Sequence, residues 1–81
     1  MELRTLRYFL TVAREQSISA AAESLHISQP ALSRSMQRLE EELGVTLFER
    51  QRSRLTLNDM GELAVRYARN LLLQENAMIQ Q

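Results

Sequence analysis

Ten arginines and no lysine carry the fixed side-chain positive charge of this 81-residue sequence, and five of them, Arg34, Arg38, Arg50, Arg52 and Arg54, crowd between positions 34 and 54. A guanidinium is planar and permanently charged, and its rigid fork of donors fits a phosphate or the edge of guanine through two parallel bonds. Arginines placed this closely point to recognition of a polyanion. Other chemistry is poorly supplied. Without cysteine there is no thiolate nucleophile, disulfide or cysteine zinc site, and the single histidine, His26, cannot assemble a metal cluster alone. Catalysis needs an acid, a base and a nucleophile converging in one pocket. Here the serines and His26 have helix-end explanations and the carboxylates have surface ones. No catalytic residue, metal or cofactor is assigned, and the chain reads as a binding module rather than an enzyme.

The formal net charge of zero runs against the bulk basic signature of nucleic-acid binders, so the distribution of the arginines has to carry that reading. A length of 81 residues allows one small domain. Hydrophobic residues at 44% and charged residues at 25% suit a globular chain, and no apolar run approaches the roughly 18 residues that would suggest a membrane span. The first residues, Met1-Glu2-Leu3-Arg4, begin an amphipathic pattern at once and lack the apolar stretch of a secretory signal. The expected compartment is the cytoplasm, with no membrane partner.

Four helices and a hairpin are expected to position the arginines. Leu3, Leu6, Leu10 and Ala13, with Phe9 alongside, share one face of a first helix ending near Gln16. Ser17 caps a short second helix with Ile18, Ala21, Ala22 and Leu25 as its buried stripe, ending near His26. Ser28-Gln29-Pro30 restarts a helix, because serine caps it and proline is tolerated in a first turn whose N–H groups have no partner. Two helices joined by so short a turn form a helix-turn-helix.

The third helix, from about Gln29 to Leu43, splits cleanly at 100° per residue. Leu32, Met36, Leu39 and Leu43 fall in one sector, while Pro30, Arg34, Gln37 and Arg38 lie opposite with Ser33 at the flank. Gly44 ends it. Glu40-Glu41-Glu42 at its C-terminal end would repel phosphate, which leaves the N-terminal half for contact with an anion. Leu47–Arg50 and Leu55–Leu57 read as a hairpin around Gln51-Arg52-Ser53-Arg54, although no Asn-Gly or Asp-Gly marks a tight turn. Asn58 caps a last helix running to the end of the chain, with Asp59 in its first turn. That helix has two apolar stripes. Met60, Ala64, Tyr67, Leu71 and Met78 form one seam, with Gln74 filling a slot, and Val65, Ala68, Leu72 and Ile79 form the other. One small body offers one packing surface, so the first stripe is expected to pair with a second copy of the chain.

In this order, Leu3-Arg4-x-Leu6-x-x-Phe9, the alanine-rich second helix, Leu25-His26-Ile27-Ser28-Gln29-Pro30-Ala31-Leu32-Ser33-Arg34, Leu39-Glu40-Glu41-Glu42-Leu43-Gly44 and Leu47-Phe48-Glu49-Arg50 resemble the N-terminal domain of the LysR-type transcriptional regulators over nearly the whole chain. Two departures are small. Asn58 stands where the family often has threonine, and Ser35-Met36 replaces a commoner polar and β-branched pair. The resemblance implies a mainly α fold, a winged helix-turn-helix of three helices and a two-stranded β wing (1–58), followed by a long linker and dimerisation helix (59–81). It implies a cytoplasmic, nucleoid-associated bacterial protein that binds double-stranded DNA as a homodimer on an interrupted palindrome. The small-molecule co-inducer of such regulators binds a larger C-terminal domain absent from these residues, so the sequence is expected to be an excised piece, with a naturally short protein as the alternative. The third helix would enter the major groove with Ser28, Gln29, Pro30, Ser33, Arg34, Gln37 and Arg38; glutamine suits adenine, arginine guanine, and proline a thymine methyl. Arg50, Arg52, Ser53 and Arg54 of the wing would meet phosphate or a narrow minor groove. The competing reading is a helical oligomerisation module whose arginines are only solvated.

Overall fold

Left-handed backbone residues mark the chain's corners. α1 (Leu3–Glu15) stops where Gln16 takes φ 57°, α2 (Ile18–Leu25) where His26 takes φ 58°, and α3 (Gln29–Leu43) where Gly44 takes φ 74°. Only glycine enters this region without a Cβ penalty, so the first two corners are held by what surrounds them. At the His26 corner, the His26 N–H reaches the Glu23 carbonyl and the Ile27 N–H reaches the Ala22 carbonyl at 3.0 Å, closing the tight turn of a helix-turn-helix. The expected caps are present: Ser17 Oγ accepts from the Ala20 N–H at 3.1 Å and Ser28 Oγ from the Ala31 N–H at 3.2 Å.

The structure, a computed structural model, describes residues 1–80. After α3 come β1 (Phe48–Gln51) and β2 (Arg54–Leu57), an antiparallel pair in which Phe48 faces Leu57 and Gln51 faces Arg54. The hairpin is tighter than the sequence suggests. Gln51 and Arg54 join the ladder, and only Arg52 and Ser53 turn the chain, with Arg52 at φ 59°. A positive φ at the first central residue alone is the φ pattern of a type II′ turn, which normally takes glycine there. Leu47 is left out of β1 because its N–H is diverted to the Glu40 carboxylate, although its C=O still accepts from the Asn58 N–H across the hairpin.

α4 (Asp59–Ile79) is capped by Asn58, whose Oδ1 accepts from the Gly61 N–H at 2.8 Å. Gln81, where the sequence reading carried this helix to the chain end, lies outside the described residues. Leu6, Phe9, Val12, Ala21, Ala22, Leu32, Met36, Leu39, Leu47, Leu55 and Ala68 form the core. Phe48 reaches it from the wing, edge-on to Phe9 with ring centroids 5.6 Å apart, so the hairpin is a packed element and not a loose flap.

Four core assignments from periodicity need correction. Val12 is fully buried while Leu10 and Ala13 are only half-buried, because the contact line of α1 runs through Leu6, Phe9 and Val12. Leu43 is 42% exposed at the rim of the core, and Ile79 is 68% exposed where α4 has run past the body. A helical stripe gives a direction; it does not say where the neighbour ends. Among the described residues, no helix is long and apolar enough to cross a membrane.

Candidate nucleic-acid interface

α3 separates its two faces as the wheel predicts. Leu32, Met36 and Leu39 are buried beneath it, while Gln29, Pro30, Arg34, Gln37 and Arg38 are exposed and Ser33 lies half-buried at the flank. Ser28 has two roles open to it: its oxygen caps the helix, and its hydroxyl proton remains to donate outward. The first half of α3 therefore presents a serine hydroxyl, two amides and two guanidinium groups on one surface, while its Ala31 and Leu32 N–H groups are already taken by Ser28. Such a surface can donate to phosphate and also read base edges.

The wing lies beside this face. Ser33 and Gln37 of α3, Phe48 and Arg50 of β1 and Ile18 of α2 line one cleft, so Arg50 sits against the polar flank of the helix. Arg52 and Ser53 occupy the exposed tip. Arg54, next to the tip, donates through Nη2 to the Gln16 side-chain amide oxygen at the α1–α2 corner. Of the eleven candidate residues the cleft brings together Ser33, Gln37 and Arg50; Ser28, Gln29, Pro30, Arg34 and Arg38 lie exposed on or before α3, and Arg52, Ser53 and Arg54 on the hairpin.

Ion pairing sets the α1 arginines apart from all the others, Arg66 and Arg69 of α4 included. Arg4 pairs with Glu2, Arg7 with Glu75 and Arg14 with Glu15, all on or near α1. Among the described residues, Arg34, Arg38, Arg50, Arg52 and Arg54 make no ion pair. A zero net charge consequently hides a segregated one. Acids neutralise the α1 arginines, while the band on α3 and the wing keeps its positive charge for an external anion.

Sequence reasoning missed the residues that hold the band together. Glu40 accepts from the Leu47 N–H at 2.7 Å, giving one member of an acidic run a structural role. Asn58 caps α4 and also donates through Nδ2 to the Thr46 carbonyl at 2.9 Å, binding the entry and exit of the wing together. Gly61 is buried so closely beneath the wing that a Cβ there would stand 2.2 Å from the Leu47 carbonyl oxygen. Gln16 holds β2 through both its backbone and its side chain. Of these contacts only the Asn58 cap left a sequence-local trace; no glycine signalled the left-handed corner at Gln16.

Two recognised helices, a packed hairpin and an arginine band define a winged helix-turn-helix protein. The family model described as bacterial regulatory helix-turn-helix protein, lysR family, matches residues 3–62, and the chain belongs to that family, one of transcriptional regulators rather than enzymes. It is 45% identical to the HTH-type transcriptional regulator BsdA of Bacillus subtilis over 82 residues, which are 99% of this chain and 28% of that protein. It is 47% identical to the regulator BenM of Acinetobacter baylyi over 79 residues, 98% of this chain and 26% of that protein. The sequence thus spans about a quarter of the length of these relatives. Among solved structures it resembles the BenM DNA-binding domain in complex with benA site 1 DNA, with TM-score 0.93 and 46% identity, covering 99% of this chain and 93% of that one. It likewise resembles the CbnR DNA-binding domain in complex with DNA, with TM-score 0.94 and 40% identity, covering 99% and 92%.

Proposed function

We propose that this chain is the operator-reading part of a LysR-type transcriptional regulator, binding double-stranded DNA sequence-specifically as a homodimer. The observation that carries the reading is the polar face of α3, exposed from Gln29 to Arg38 above a buried Leu32, Met36 and Leu39, with its arginines left without ion pairs. The start of α3 enters the major groove. Arg34 and Gln29 are the leading base readers, with Ser28, Pro30, Ser33, Gln37 and Arg38 around them. Arg50, Arg52, Ser53 and Arg54 contact phosphate or the minor groove. That the similar BenM and CbnR DNA-binding domains are solved in complex with DNA supports DNA binding.

Residues 1–58 form the reading head and residues 59–81 the linker helix. Met60, Tyr67 and Leu71 are exposed along α4 beside an apolar groove of about 260 Å³, with Ala64 in its wall and Met78 exposed beyond it. A second copy covering that stripe sets two α3 helices on successive major grooves, about 34 Å apart, and so on an interrupted palindrome. In the whole regulator a co-inducer acts through a further C-terminal domain, in the bacterial cytoplasm at the nucleoid. The test is selection from random duplex DNA at low and physiological salt. An enriched two-fold symmetric site whose affinity falls with salt is expected. A dimer that enriches nothing would instead make the chain an oligomerisation module.

A further inference from the structure

Gln16 is the one residue of the α1–α2 corner that touches the wing twice. Its backbone carbonyl accepts from the Leu55 N–H at 3.0 Å, and its side-chain oxygen accepts from Arg54 Nη2. The corner itself is fixed: the Gln16 N–H returns to the Val12 carbonyl at 2.9 Å, and the next residue, Ser17, caps α2. Gln16 nonetheless holds φ 57°, where glycine would sit without strain. A non-glycine residue kept in that region while its side chain grips a neighbour suggests that the side chain earns its place.

We propose that Gln16 is a positioning residue for DNA binding: it holds the Arg54 guanidinium in place before DNA arrives. This rests on the reading of the band as a DNA-binding surface. Arginine carries a long, rotamer-rich side chain, and ordering it on binding costs affinity. A single bond to Gln16 uses one of five guanidinium donors and leaves four for phosphate oxygens. The backbone bond from Gln16 to Leu55 holds β2 whatever the side chain at position 16, so fold and aim are separable. Removing the side chain should release Arg54 while leaving the wing in place.

Gln16→Gly makes that separation, because it keeps the backbone bond and removes the backbone strain. On the duplex enriched by selection, Gln16→Gly is expected to bind about three- to ten-fold more weakly than wild type, the loss of one pre-ordered side chain. Its urea midpoint should be unchanged or higher. In an Arg54→Ala background the same substitution should change affinity no further, an epistasis that a general structural role would not produce. Gln16→Asn, which also tolerates the left-handed region but is one methylene shorter, should behave like Gln16→Gly and guards against loosening specific to glycine. Unchanged affinity in both variants, or an equal loss with and without Arg54, would overturn the inference while leaving DNA binding intact. A wild-type chain that binds no duplex overturns both readings.

Discussion

The Glu40 carboxylate accepts the Leu47 N–H at 2.7 Å, joining the last turn of α3 to the entry of the wing across seven positions of sequence. Leu47 is 1% exposed, so its N–H has no water to turn to if the carboxylate is removed. Glu40→Ala should therefore cost about 1 to 3 kcal/mol, the range for stranding a buried donor. Glu40→Gln keeps an acceptor oxygen and should recover most of it. Glu41→Ala, one position on and exposed, should stay within about 0.5 kcal/mol. Urea unfolding of the three variants gives the comparison, and equal midpoints for Glu40→Ala and Glu41→Ala would refute the clamp.

Gly61 meets the same segment from the other side. A Cβ there would come within 2.2 Å of the Leu47 carbonyl oxygen and 2.8 Å of the Leu57 Cδ2. The leucine side chain can rotate away, but the carbonyl cannot, because the Asn58 N–H already binds it at 3.0 Å. Gly61→Ala should destabilise by about 1 to 3 kcal/mol even though alanine favours helix, overpacking outweighing a propensity gain of about 1 kcal/mol. A thermal midpoint at or above that of wild type would show that the α4–wing contact yields easily.

Arg52 separates stability from binding at the wing tip. Its φ of 59° costs a non-glycine residue about 1 to 2 kcal/mol, against which glycine's extra unfolded-state freedom offsets roughly 0.5 to 1. Arg52→Gly should therefore stabilise the fold by roughly 0.5 to 1 kcal/mol and at the same time weaken DNA binding. If Arg52 meets only phosphate, all sequences weaken alike and the salt slope falls by about one. A more stable variant with unchanged affinity would make Arg52 a solvated tip residue.

The helices were legible in the sequence because caps and periodicity are local: Ser17, Ser28 and Asn58 announce their starts, and Leu32, Met36 and Leu39 fix the buried side of α3. The polar face of α3 followed by subtraction. The wing's length was less legible, since its turn uses Arg52 where glycine would have been diagnostic. Leu43 and Ile79 misled because they continue a stripe beyond the body that covers it. Glu40 and Gln16 left no local pattern. Each acts on the wing across an intervening stretch of chain, 38 positions in the case of Gln16 and Arg54, and only the folded backbone brings them together.

Arg34 tests base reading directly. It is exposed on the outer face of α3, away from the core, so Arg34→Ala should leave stability within about 0.5 kcal/mol. A bidentate contact with guanine predicts a loss of about 1 to 3 kcal/mol on the enriched site, confined to a relaxed preference at one base pair. The same loss on every sequence would reassign Arg34 to the phosphate backbone.

Tyr67 and Ala68 are adjacent on α4 and face opposite fates, 63% and 1% exposed. Ala68 ties the helix to the core; Tyr67 stands with Leu71 on the wall of the apolar groove, which nothing among the described residues fills. If a second copy covers that wall, Tyr67→Glu places a charge in the seam and should raise the dimer dissociation constant at least tenfold, about 1.4 kcal/mol. The monomer should lose less than about 0.5 kcal/mol, because the side chain is already in water there. Sedimentation equilibrium reads the first effect and urea unfolding of the dilute protein the second. Loss of dimer should also abolish preference for the symmetric site over a single half-site, since the two reading heads would then bind independently. A Tyr67→Glu variant that dimerises like wild type would move the seam to another face of α4.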